Sequence, residues 1–347
     1  MMDVLSIGSL TVDTFYWGAD LHHTVEQVNP EERAFVLPVG GKIGIERVYE
    51  FCGGGAANTS IGFAKLGLRA GVLSSIGEDH HGHFITRTLD HYGIDQTCLQ
   101  RVPGGSSSQS VVLMAEDGGR TVLHHKMESP PEASLFPPET AMRCVYLGHV
   151  REESEGLIPR VVAWKQQYEG ILGWNPGSTQ LRKGWEHWQE ILRHTDVLIL
   201  NVEELEQLTR MKAPVVGASV LLEEIELLTV PDGRPATVLR DVRAMAALLL
   251  GQGLGALLVT DGGAGAQLYT AAGAACYAPG TSQPPVSTLG AGDSCSVGYI
   301  AALLHGEPPA MAMRWAAINA AGTVQIFGAQ EGQRTLEEMR ALTGASL

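Results

Sequence analysis

Positive charge is what this 347-residue sequence has least of: 24 lysines and arginines stand against 38 aspartates and glutamates, for a formal net charge of −14. General binding to nucleic acid or to an anionic membrane surface is excluded, because no basic field exists to attract either. A phosphorylated ligand is not excluded, since backbone amides and a divalent cation can hold one locally. Cysteines are scarce, odd in number and scattered (Cys52, Cys98, Cys144, Cys276, Cys295), and no two form a CxxC pair. That rules out a disulfide framework or a cysteine zinc site and fits reduced thiols in the cytoplasm. Long apolar runs are missing too. The most apolar stretch, residues 244–260, is broken by Gly251, Gly253 and Gly255, so no membrane span is expected. Met1-Met2-Asp3 leads straight into Val4-Leu5, with no charged region ahead of an apolar one, and the expected location is cytoplasmic. Finally, no G-x-G-x-x-G follows the first strand with an acidic residue about 20 positions later, which argues against a dinucleotide oxidoreductase.

What is present fits a large α/β unit. Short apolar runs (Val4–Leu10, Ala70–Ile76, Cys144–Leu147, Ile171–Trp174, Val197–Leu200, Ala256–Thr260) alternate with helix-like segments. Such alternation predicts a mostly parallel sheet covered on both faces. Helices are expected over 56–66, 82–92, 157–168, 185–193 and 238–250, with a short inserted helix over 221–228. Residues 15–51 differ: Tyr16, Trp17, Pro30, Pro38 and Gly40-Gly41 are mixed with short alternating pieces, as in loops and small strands. Residues 110–125 read as a hairpin turning at Glu116–Arg120; Arg120 is by default a solvated turn residue, and could reach substrate if the hairpin is part of a lid. His80, His81 and His83 follow Asp79, which reads as a helix cap ahead of a polar turn.

The most informative stretch is Ser287-Thr288-Leu289-Gly290-Ala291-Gly292-Asp293, which opens an apolar helix. Glycines allow a tight turn and close backbone approach, and first-turn amides offer an anion unpaired donors. Asp293 places a carboxylate beside that nest, although Asp also caps helices for purely structural reasons. Three further stretches accompany it: Gly53-Gly54-Gly55-Ala56-Ala57-Asn58, Asn201-Val202-Glu203-Glu204 and Thr260-Asp261-Gly262-Gly263-Ala264-Gly265.

With these four stretches in this order, the chain resembles the ribokinase-like (PfkB-type) carbohydrate kinase family from Val4 to about Gln330. The resemblance implies a three-layer α/β/α fold with a mostly parallel central sheet and a small β-sheet lid. The kinase body would cover 1–14, 52–109 and 126–347, and the lid 15–51 and 110–125. It implies an ATP-dependent kinase acting on a hydroxyl of a sugar or sugar-like compound, with Mg²⁺. Asp293 matches the catalytic base, and Gly290, Ala291 and Gly292 match the anion hole for the transferring phosphoryl group. Asp13, Gly54 and Asn58 match positions that grip substrate hydroxyls. Asn201, Thr260, Gly262 and Gly265 match nucleotide-side positions, Glu204 matches one that places Mg²⁺ through water, and Asn175 resembles a further position near the phosphates.

There are two departures from the family pattern. Ser287 stands where the family usually has an Asp that helps to bind a monovalent cation, which puts potassium activation in doubt. Cys295 replaces an aromatic residue and reads as a packing change. The segment 211–235 is longer than the family's usual connection. A nucleoside kinase remains an alternative, as does a catalytically silent sugar- or nucleotide-binding protein. A homodimer joined through the lid is expected, because Phe35, Val36, Leu37, Ile43, Ile45 and Val48 have little helix to cover them.

Overall fold

The computed structural model describes residues 2–29, 32–116 and 119–344. Ten strands form the central sheet, in the spatial order Glu226–Leu227, Ala275–Ala278, Ala266–Thr270, Ala256–Thr260, Val197–Asn201, Ile171–Trp174, Cys144–Leu147, Val4–Ile7, Ala70–Gly77, Asp95–Val102. From Ala256–Thr260 to Asp95–Val102 every pairing is parallel. The hairpin Ala266–Ala278 then adds two antiparallel strands.

Side chains alternate across a strand, so each central strand feeds two cores. Cys144 and Tyr146 enter one and Val145 and Leu147 the other, and Val197 and Ile199 oppose Leu198 and Leu200 in the same way. On the first face lie the helices Gly55–Lys65, His80–His91, Ala291–Leu304 and Pro309–Val324; on the second lie Leu157–Gln167, Gln189–His194, Val202–Thr209 and Arg243–Leu250. The sheet therefore presents only its strand ends to ligands, and open α/β sheets bind them beyond the carboxyl ends. Among the described residues no helix is long and apolar enough to cross a membrane.

The lid is a second sheet of four strands, in the order Arg47–Gly53, Thr11–Trp17, Ser108–Met114, Arg120–His125. A separate pair, Val25–Asn29 with Glu32–Phe35, extends from it. Thr11–Trp17 is one continuous strand, so Asp13 lies within the lid sheet, ahead of the boundary expected at residue 15. Phe15, Val112 and Met114 form a small core of their own, against which Phe51, Leu289 and Phe327 pack.

Three expected helices are corrected. The segment 238–250 divides into a strand, Val238–Arg240, and a helix, Arg243–Leu250. The break follows from Asp241, whose carboxylate accepts bonds from the Arg243 backbone N–H and guanidinium. The inserted helix lies at Ala218–Leu222, not 221–228, and Glu226–Leu227 pairs instead with the sheet edge at Cys276–Tyr277. Residues 185–193 begin as a 3₁₀ turn, Trp185–Trp188, before the helix Gln189–His194.

Candidate active site

The Ala291–Leu304 helix starts immediately after Gly290, which has a φ of 77°. A Cβ on Gly290 would lie 2.4 Å from the Ala329 Cβ, so both backbone conformation and packing require glycine here. At Gly292 a Cβ would meet nothing within 4 Å, so this side of the turn is open. The helix is tied down from below. Ser294 Oγ donates to the Gly290 carbonyl at 2.9 Å, Thr323 Oγ1 donates to Ser294 Oγ at 2.7 Å, and Asn319 Nδ2 donates to the Ser294 carbonyl at 2.8 Å. All three side chains are buried, so the first turn is held on a satisfied polar network, and of its amides the Ala291 N–H is directed back to the Thr288 carbonyl at 3.5 Å.

Asp293 stands in that first turn and is half-buried. Asn58 Nδ2 donates to its Oδ2 at 2.8 Å. Burial pushes the Asp293 carboxyl up to about 6; the negative charge of Glu204 acts the same way, and the Asn58 bond opposes both. Asn58 is itself oriented by Gln330, whose Nε2 donates to Asn58 Oδ1 at 3.1 Å and to the Cys52 carbonyl at 2.6 Å. A Cβ on Gly55 would lie 3.9 Å from Asp293 Oδ1, so the glycine turn faces the carboxylate. Gly54, with a φ of 88°, packs so that a Cβ would sit 2.4 Å from the Ser9 carbonyl.

Asp13 is close to this group but does not touch Asp293. Its carboxylate accepts from Thr11 Oγ1 at 3.1 Å and faces Gly53, where a Cβ would come within 2.0 Å of Oδ2. Burial raises the Asp13 carboxyl above its ordinary value, against hydrogen bonds from Ser110 and Thr11. Ser110 Oγ also bonds His124 Nδ1 at 3.0 Å, and burial holds that imidazole below its ordinary value.

The nucleotide-side residues lie along the carboxyl edge of the sheet. Asn201 and Thr260 are register partners at the ends of adjacent strands. Asn201 and Glu204 form a reciprocal capping box: Asn201 Oδ1 accepts from the Glu204 N–H at 2.8 Å, and Glu204 Oε2 accepts from the Asn201 N–H at 2.9 Å. Burial raises the Glu204 carboxyl despite that bond, so its charge is left under-compensated. A nearby divalent cation suits such a group, and Mg²⁺ is characteristically held by one or two carboxylates together with water and substrate phosphates. No cluster of three or more His, Cys, Asp or Glu able to hold a metal occurs among the described residues, and Asp79 caps the His80–His91 helix through Gly82. Gly262 and Gly265 have φ of 50° and 100°, and a Cβ on Gly265 would lie 2.3 Å from the Ala278 carbonyl. Asn175 follows its strand end and donates to the Ile199 carbonyl at 2.8 Å, so it bridges backbone at the same edge.

Three side chains join this site that sequence reasoning did not place in it. Arg240 Nη1 donates to Glu203 Oε1 at 2.6 Å and its Nε to Asp261 Oδ1 at 3.0 Å, clamping the Asn201–Glu204 helix start to the Thr260–Gly265 turn. Gln330 orients Asn58. Arg120, expected to be a solvated turn residue, begins a lid strand and donates from Nη1 to Thr288 Oγ1 at 2.8 Å, beside the Gly290 turn. Cys295 is buried in the core.

The model of the pfkB family of carbohydrate kinases matches residues 23–140 and 178–336. An ATP-dependent ribose-1-phosphate kinase of Halopiger xanaduensis is 25% identical over 85% of this chain and 86% of its own length. The ribokinase of Bacillus subtilis is 24% identical over 84% of this chain and 87% of its own. Among solved structures, Arabidopsis thaliana ribokinase complexed with ribose and ATP superposes with a TM-score of 0.72 at 21% identity, covering 99% of each chain, a likeness of fold. The motifs, the fold and the family match agree: this chain belongs to the pfkB carbohydrate kinase family.

Proposed function

We propose that the protein transfers the γ-phosphoryl group of ATP to a hydroxyl of a sugar or sugar-like acceptor. The observation that carries this reading is the pairing of Asp293, held by Asn58 at 2.8 Å, with the open first-turn amides that follow Gly290. Phosphoryl transfer depends on positioning and electrostatic stabilisation more than on covalent help from the protein. The acceptor oxygen forms a bond to phosphorus as the bond to the bridging oxygen of ADP breaks. Asp293 takes the acceptor proton, and a carboxyl shifted to about 6 is better matched to that task than an ordinary aspartate. The amides of Gly290, Ala291 and Gly292 stabilise the equatorial oxygens. Asp13, Gly54 and Asn58 orient the acceptor, and Asn201, Thr260, Gly262 and Gly265 frame the nucleotide edge. Mg²⁺, placed through water near Glu204, would neutralise charge on the β- and γ-phosphates.

The same reading includes a homodimer through the lid. Val36, Leu37, Ile45, Val48, Val122 and Leu123 are all exposed on lid segments. The strand Arg120–His125 is exposed throughout, while Phe35 and Ile43 are half-buried. Val122 lies on the Val112 side of the sheet, whereas Val48 and Leu123 share the opposite face, and burying that face in a two-fold contact protects an otherwise open sheet edge. The test of function is ADP release with Mg²⁺ and ATP across pentoses, hexoses, sugar phosphates, sugar acids and nucleosides. The reading predicts acceptor-dependent ADP with at least one of these; ADP no faster than acceptor-free hydrolysis with all of them would refute it.

A further inference from the structure

A cavity of about 100 Å³ lies beside the acceptor residues, walled by Ser9, Ser108, His124, Lys126, His149 and Arg151 among others. None of its lining residues is an aspartate or glutamate, in a chain where acids outnumber bases 38 to 24. The cavity shares walls with the acceptor site at two points. Ser9 Oγ accepts from the Gly55 N–H at 3.4 Å, in the glycine turn that faces Asp293. His124 is joined through Ser110 to Asp13. The basic cavity therefore adjoins the residues that would hold the acceptor hydroxyls, Asp13 and the Gly53–Asn58 turn.

These basic groups differ in how far they are paired: Arg151 forms an ion pair with Glu153 at 2.9 Å, whereas Lys126 does not. Lys126 has no hydrogen-bond or ion-pair partner among the described residues. Arg151 splits its bonds between the Met127 and Glu128 carbonyls and Glu153, bracing the Pro-rich wall while leaving its charge beside the cavity. Burial lowers the pKa of His149, the charges of Lys126, Arg151 and Arg182 lower it further, and a hydrogen bond with Gln180 opposes them. The His149 ring is fixed against Gly177, where a Cβ would clash with Nδ1 at 1.7 Å. Gathering positive charge around a small cavity is unfavourable unless an anion completes it.

We propose that the acceptor carries an anionic group, a phosphate or a carboxylate, and that this cavity binds it, with Lys126 as the principal determinant of specificity. The proposal rests on the kinase reading for the other end of the acceptor. A charge-assisted contact of this kind discriminates by on the order of 10–100-fold. It also explains how an acidic protein can select an anionic acceptor: the favourable field is local and lies on one wall.

The experiment compares neutral sugars with matched sugar phosphates and sugar acids, in the parent and in Lys126→Gln and Lys126→Arg. The expected result is a preference for one anionic series. Lys126→Gln should raise KM for that series about 10–100-fold with kcat nearly unchanged, leave neutral sugars unaffected, and be partly rescued by Lys126→Arg. The sugar phosphate and sugar acid arms identify which anion is bound. A parent preference for neutral sugars, or equal losses on neutral and anionic acceptors, would overturn the proposal. Should no acceptor release ADP, the kinase reading fails separately, and thermal shift with the same sugar phosphates and acids at constant ionic strength decides this proposal. Stabilisation lost in Lys126→Gln supports it, and no Lys126-dependent stabilisation overturns it.

Discussion

The nest at Gly290–Asp293 and the lid are opposite ways of building a site. The nest is contiguous in sequence, uses backbone more than side chains, and rests on the buried network of Ser294, Asn319 and Thr323. The lid assembles Asp13, Ser110, Arg120 and His124 from three strands of a sheet whose outer strand is exposed throughout. A site made of backbone tolerates little change at its glycines and performs the same chemistry on any acceptor. One made of strand-borne side chains can be altered residue by residue, which is how acceptor choice can diverge on a fixed phosphoryl-transfer centre.

The sharpest way to break that comparison is Asp293→Asn. It should lower kcat by on the order of 10²–10⁴-fold with the nucleotide affinity nearly unchanged. The parent's kcat/KM should fall on the acid side as pH drops through about 6, because the base must be ionised. The sign for stability is opposite. A carboxyl whose folded value lies above its ordinary value of 3.8 stabilises the fold when protonated, and that contribution is lost as pH rises through about 6. Asp293→Asn should therefore match or exceed the parent's Tm at pH 8, and the difference should shrink by pH 5. A variant that turns over within a few fold of the parent would remove Asp293 from the base role.

Arg120→Ala comes next in size. The guanidinium reaches Thr288 Oγ1 at 2.8 Å, which brings its charge beside the nest. Removing it should cost about 10–100-fold in kcat/KM, with Arg120→Lys recovering part of the loss. If Arg120 only latches the lid, Thr288→Ala should reproduce the whole effect. A larger loss for Arg120→Ala than for Thr288→Ala separates phosphate contact from latching.

Legibility in the sequence followed the same division. The nest was readable because its signals are local: glycines at a helix start, then a carboxylate. Most central strands were readable because apolar runs bounded by polar turns can hardly be anything else in an alternating chain. Arg120 and Arg240 were not. Their partners Thr288, Glu203 and Asp261 are distant in sequence and come near only through the packing of the lid on the body and the strand order. The helix expected over 238–250 failed because periodicity could not reveal that Val238–Arg240 would pair with Val215–Gly217. Likewise Glu226–Leu227 became a strand because a sheet edge was vacant beside it, a fact no local pattern contains. The basic cavity needs Ser9, Lys126 and Arg151 together, and these belong to three separate chain segments.

A third test concerns the exposed side of the lid. Val48 and Leu123 are both 55% exposed, which an isolated sheet would leave in water. Val48→Lys with Leu123→Lys should split the proposed lid dimer in light scattering, giving a mass near 37.0 kDa, and raise acceptor KM modestly while sparing the nest. A parent already at that mass across micromolar concentrations would show that the lid face is covered in some other way.

The smallest expected effect is that of potassium. Ser287 is buried, and its Oγ accepts the Leu289 N–H at 3.3 Å, so the hydroxyl is committed to the turn that leads into Gly290. Its backbone N–H and that of Val286 bond the Val324 carbonyl, fixing the turn without help from an ion. A neutral hydroxyl offers a hard cation far less than a carboxylate would. Rates in potassium chloride and in tetramethylammonium chloride at equal ionic strength should be indistinguishable. Ser287→Asp should then create a potassium response if the rest of a cation site survives. A strong potassium response in the parent would mean that backbone carbonyls alone hold the ion, and the nest would no longer be a self-sufficient backbone device.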